Sequence, residues 1–133
     1  MKIAVVGVGA LGGVWAAKLA SAGHEVWGID ASPETVAAIR ENGVIIEDRV
    51  SGTTTATPIE ITSEPAAVGT VDALFVFVKH HQTRAAATAA MAMVDAGTSV
   101  CSLQNGWGNS DILASIYPGE QLVMGITYQS ATV

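Results

Sequence analysis

The 133-residue sequence holds a single cysteine, Cys101, and only six lysines and arginines against twelve aspartates and glutamates. One cysteine excludes an internal disulfide framework and any cysteine-rich zinc site. The formal charge of −6, with no basic cluster, lacks the footprint of a nucleic-acid binder and disfavours anionic membrane surfaces. No apolar run reaches the length of a bilayer span without a glycine or a charge interrupting it. Charged residues make up 14% and apolar residues 50%, a balance that argues against disorder. The length suits one domain and is tight for a two-domain enzyme. Lys2, the apolar stretch Ile3 to Ala17 and Ala20-Ser21-Ala22 have the outline of a secretory signal. Lys18 interrupts that outline and spaced glycines have no part in one, so a cytoplasmic location is expected.

What is present is an alternation of short β-rich runs with alanine-rich helical stretches. That pattern argues for a mostly parallel sheet with helical crossovers. Strands are expected at Lys2–Val6, Glu25–Ile29, Ala73–Val78, Ser99–Leu103 and Leu122–Thr127. Helices are expected at Ala10–Ala22, from Pro33 to about Glu41, briefly at Glu64–Val68, at Thr83–Val94 and at Ser110–Ile116. Gly23 is placed to end the first helix, and Ser32-Pro33 to cap and start the second. Val44–Glu47 and Thr53–Ile61 read as a hairpin around Ser51-Gly52, its second arm available as the sheet's third strand. The fold class is therefore α/β, a Rossmann-type doubly wound sheet with helices on both faces, and residues 1–133 are expected to be one domain.

Gly7-Val8-Gly9-Ala10-Leu11-Gly12 matches G-x-G-x-x-G, with a strand directly before it and a helix directly after. Gly7 permits the tight turn, Gly12 lets the helix lie close on the strand, and a Cβ at Gly9 would obstruct a diphosphate. The helix start then offers free N–H groups and a positive dipole end to that diphosphate. Asp30 ends the second strand, where a carboxylate accepts from the adenosine ribose hydroxyls and repels a 2′-phosphate. No lysine or arginine lies between Asp30 and Ala38, so NAD is favoured over NADP. The plainer alternative for Asp30 is a cap on the following helix.

Ligands of a doubly wound sheet lie outside the carboxyl ends of its strands. There the sequence places Lys79, His80, His81 and Gln82 after one strand, Gln104, Asn105 and Gly106 after the next, and Thr127, Tyr128 and Gln129 after the last. Lys79 is a cation suited to a cofactor phosphate or a substrate carboxylate; otherwise it is a solvated loop lysine. Asn105 both donates and accepts, which suits a carboxamide or a substrate hydroxyl; otherwise Asn105-Gly106 is a tight turn. His80 or His81 could act as an acid. Adjacent histidines with no third ligand do not make a metal site, and none is expected. Cys101 has no basic neighbour and reads as structural. Trp15, Trp27, Met91 and Met93 read as packing residues, whereas Trp107 in its glycine-flanked loop could cover a nicotinamide or face another domain.

Together the segments GVGALGG (Gly7 to Gly13), VKHHQT (Val78 to Thr83), LQNGWGN (Leu103 to Asn109) and MGITYQSA (Met124 to Ala131) resemble the amino-terminal domain of ketopantoate reductases, the 2-dehydropantoate 2-reductases. The resemblance covers essentially the whole chain, in order and at matching intervals. It implies NAD(P)H-dependent reduction of a keto acid to a 2-hydroxy acid, in pantothenate biosynthesis for true members. It implies that Gly7 to Gly12 bind the dinucleotide, that Lys79 sits near the nicotinamide end and the substrate, that Asn105 contacts both, and that Ala131 lies against the cofactor. NADP-using members carry an arginine where this sequence has Ala31. The resemblance also implies a helical second domain with the general-acid lysine, expected to be absent from these residues.

The chain is accordingly expected to be half of such an enzyme, as an excised domain, a fragment or a truncated gene product. It is expected to bind NAD(H) with negligible turnover on its own. Two other readings stay open: a reductase of a different 2-keto acid, and a non-catalytic NAD(H)-sensing domain. An apolar face left by the absent half is expected to drive homo-oligomer formation.

Overall fold

The computed structural model describes residues 1–132. Its elements run β1 (Lys2–Val6), α1 (Ala10–Ser21), β2 (Glu25–Ile29), α2 (Pro33–Asn42), β3 (Val44–Asp48), β4 (Thr53–Thr57), β5 (Glu60–Thr62), β6 (Ala73–Val76), α3 (Thr83–Ala90), β7 (Ser99–Ser102), α4 (Asn109–Ala114) and β8 (Leu122–Met124). Six strands form one sheet in the order β5-β2-β1-β6-β7-β8, and every pairing in it is parallel. The switch in strand order falls at β1, as a doubly wound Rossmann-type sheet requires. Val6 is in register with Ile29 on one side and Val76 on the other. Gly7, Asp30 and Phe77 therefore leave the sheet at one level, and the loops behind them share an edge.

Alternate residues of β6 point to opposite faces. Leu74 and Val76 pack with Ala87, Ala90, Met93, Val100, Leu113 and Tyr117, a core roofed by α3 and α4. Phe75 and Phe77 pack on the other face with Val5 and Ala16 of α1. Trp15 lies 5.7 Å from the Phe75 ring and 6.0 Å from that of Phe77, so it packs as expected. Helices thus cover both faces. Helix starts follow local chemistry: the Ser32 hydroxyl accepts from the Thr35 N–H at 3.1 Å, and Pro33 opens α2.

The expected strand Thr53–Ile61 divides at Pro58, which cannot donate to a ladder. Before it, β4 pairs antiparallel with β3 in a separate two-stranded hairpin. Beyond it, β5 pairs with β2 and becomes the edge of the main sheet. In the hairpin turn the Asp48 carboxylate accepts from the N–H groups of Ser51 and Val50, and these bonds hold it below the usual carboxylate range. The expected helix Thr83–Val94 stops at Ala90 and tightens into a 3-10 turn over Met91–Met93. The last strand ends at Met124 rather than Thr127. Among the described residues, no helix is long and apolar enough to cross a membrane.

Candidate functional site

The site begins where β1 hands over to α1. Gly7 has φ +89°, which a side chain would rarely adopt, and its N–H donates to the Ile29 carbonyl at 2.8 Å. A Cβ at Gly12 would stand 2.0 Å from the Gly7 carbonyl oxygen, so only glycine lets α1 lie this close to the turn. Gly9 differs. Its backbone is extended (φ −78°, ψ −159°), and a Cβ there would meet nothing within 4 Å. Folding does not require a glycine at that position. No side chain caps α1 and no acidic residue occupies its first turn, so its leading amides and positive dipole end are left for a ligand. An open space that a Cβ would fill, in front of uncapped amides, fits the diphosphate of a dinucleotide.

Asp30 binds this loop from the β2 side. Its Oδ2 accepts from the Val8 N–H at 2.8 Å and its Oδ1 from the Ser32 N–H at 3.0 Å. Ser32, not Asp30, caps α2. Each Asp30 oxygen keeps a further lone pair. Arg40, the basic residue nearest in sequence after Asp30, is bonded elsewhere: its Nε and Nη2 donate to the Ile61 carbonyl at 3.1 and 3.0 Å.

Two cavities flank the fingerprint. The larger, about 970 Å³, is lined by Val8, Gly9 and Ala10, by parts of α2 and the β3–β4 hairpin, and by the segment Gln129 to Thr132, so Ala131 and the fingerprint share it. The smaller, about 290 Å³, is lined by Leu11, Lys79, His80 and Asn105, among others. The structure so gathers Val8, Gly9, Ala10 and Ala131 on one side and Leu11, Lys79 and Asn105 on the other. Gly7, Gly12 and Asp30 line neither cavity; the two glycines shape the turn, and the Asp30 carboxylate holds the Val8 and Ser32 N–H groups. Gly106 and Gly108 both have positive φ, at +100° and +83°, and hold the loop that presents Asn105. Trp107 in that loop is 98% exposed and covers nothing among the described residues. His81 is exposed as well.

Three polar residues matter more than their sequence positions suggest. The Gln104 side chain donates to the Val78 carbonyl at 2.5 Å and to the Thr83 hydroxyl at 2.9 Å. Thr83 and Asn109 are buried. Their segments stood out in the sequence, but nothing in a sequence separates a buried loop amide from a solvated one. Cys101 is half-buried, and burial pushes its thiol up, which opposes a nucleophilic role.

The family model described as ketopantoate reductase PanE/ApbA matches residues 3–133. The chain belongs to the ketopantoate reductase family. It is 32% identical over 131 residues to the 2-dehydropantoate 2-reductase of Halobacterium salinarum, covering 98% of this chain and 43% of that relative. The crystal structure of 2-dehydropantoate 2-reductase from Geobacter metallireducens matches with TM-score 0.85 at 27% identity, over 98% of this chain and 42% of the other. A D-mandelate dehydrogenase determined with NADH and anilino(oxo)acetate matches with TM-score 0.92 at 29% identity, over 100% and 43% respectively. The chain thus spans about two fifths of the length of these relatives. The parallel sheet and the fingerprint turn lie within the shared portion.

Proposed function

We propose that residues 1–133 form the dinucleotide-binding domain of an NAD(P)H-dependent oxidoreductase that reduces a keto acid, of the 2-dehydropantoate type, to a 2-hydroxy acid. The observation that carries this reading is the open space at Gly9 in front of the uncapped α1 terminus. In this reading the first-turn amides from Gly9 to Gly12 bind the diphosphate. Asp30, already anchored to Val8, receives the ribose hydroxyls on its remaining lone pairs. Position 31 is alanine and Arg40 is bonded to the Ile61 carbonyl, so the Asp30 carboxylate makes NADH the favoured cofactor.

NADH or NADPH, when bound, supplies the hydride. Lys79 then offers its cation to the substrate carboxylate or the growing alkoxide, and Asn105, which lines the same smaller cavity, orients the reacting groups. The proton donor and most of the substrate pocket come from polypeptide outside these residues, a helical second domain. The exposed Val123, Met124 and Ile126 at the β8 end support either that cover or self-association of the chain. A cytoplasmic location belongs to the same proposal. Calorimetry with NADH and NADPH tests it. Binding of NADH with weaker binding of NADPH, and negligible ketopantoate turnover by this chain alone, is the expected result; folded protein that binds neither overturns it.

A second reading keeps the chemistry and changes the substrate. The likeness to D-mandelate dehydrogenase favours an aryl keto acid as the alternative. The full-length reductase assayed with ketopantoate and benzoylformate separates the two.

A further inference from the structure

Behind the smaller cavity, one buried amide ties two functional arms together. Asn109, 3% exposed at the start of α4, lines neither cavity. Its Nδ2 donates to the Asn105 carbonyl at 3.1 Å. Its Oδ1 accepts from the Thr83 hydroxyl at 3.1 Å and lies 2.9 Å from His80 Nδ1. The Thr83 oxygen accepts from Gln104 Nε2, so the hydroxyl proton is left for Asn109. The Asn109 amide can then point only one way, and His80 must be the donor through Nδ1. That leaves Nε2 as the ring nitrogen available to a ligand. A buried amide whose oxygen and nitrogen are both hydrogen-bonded specifies one arrangement of its surroundings. Here those surroundings are the loop after β7, carrying Asn105, and the turn after β6, carrying Lys79 and His80.

We infer that Asn109 is a positioning residue for the hydride end of the site: it sets Asn105 against Lys79 and holds His80 in one tautomer, without touching the ligand. The inference rests on the dinucleotide reading above, with the nicotinamide at the smaller cavity. Asn109→Asp keeps the acceptor toward Thr83 and His80 but turns an oxygen toward the Asn105 carbonyl in place of a donor. Calorimetry on the 133-residue chain compares NADH with ADP-ribose, which shares the diphosphate and adenosine but lacks nicotinamide. The expected result is a loss of about tenfold in NADH affinity with ADP-ribose unchanged within about twofold, where tenfold corresponds to about 1.4 kcal/mol.

In an Asn105→Ala background the same substitution is expected to add nothing, because it keeps the acceptor toward His80 and alters only the bond to the loop that presents Asn105. An additive loss there overturns the inference. So does a parallel loss of both ligands, or no loss of either; the dinucleotide reading survives each. Thr83→Val, which removes the hydroxyl and keeps the volume, repeats the NADH-specific contrast without a new charge and decides the matter if the Asn109→Asp variant does not fold. If the unaltered chain binds neither ligand, the reading and the inference fall together.

Discussion

The carboxylate of Asp30 holds the main-chain N–H of Val8 at 2.8 Å, across 22 residues of sequence. This bond ties the end of β2 to the middle of the glycine loop, so the acidic residue helps shape the turn before any ligand arrives. Its second bond, to the Ser32 N–H, fixes the carboxylate against the start of α2. A residue expected to read a ribose is therefore also part of the scaffold.

Asp30→Ala should reveal both roles. Two hydrogen bonds to a charged acceptor are lost, with a destabilisation of about 2 kcal/mol, read by urea denaturation. NADH affinity should fall about tenfold, and the gap between NADH and NADPH should narrow, because the repulsion toward a 2′-phosphate is gone. A stability loss with the NADH to NADPH ratio unchanged would leave Asp30 with the scaffold role alone.

Gly9 and Gly12 should separate cleanly. Gly12→Ala drives a Cβ against the Gly7 carbonyl and is expected to destabilise the chain by at least about 4 kcal/mol. Gly9→Ala meets open space, so its unfolding free energy should stay within about 1 kcal/mol of the parent. The Gly9 variant should nevertheless lose dinucleotide binding. Thermal unfolding and calorimetry on both variants check the contrast.

Alkaline stability follows from Tyr117. Its hydroxyl donates to the Ala87 carbonyl at 2.6 Å inside the α3–α4 core, and burial pushes its pKa up to about 12 from 10.0. The folded state keeps a proton that the unfolded chain releases at lower pH. This contribution is fully present below pH 10 and is lost as the pH rises toward about 12. Tyr117→Phe lacks that ionisation and should flatten stability over this window, measured by denaturation at graded pH.

Much of the fold was legible because its signals are local. The run Lys2–Val6, the glycines after it and Ser32-Pro33 each specify their own geometry within a few residues. Pro58 is also a local signal, and it separates β4 from β5 where β propensity alone joins them. The shortening of β8 is not local: this edge strand has β7 on one side only, so its length depends on a single ladder. The site divides the same way. Lys79 and Asn105 are marked by lying after strands. Asn109 and Thr83 matter through partners 26 residues apart, and only the packing of α4 against the β6 turn brings them together.

The central claim is that a diphosphate sits on the amides at the start of α1. An amide NMR titration with NADH reads those groups one by one. The account predicts that the largest shifts fall on Gly9, Ala10, Leu11 and Gly12. Saturable binding that leaves those four amides unmoved while others shift would contradict it.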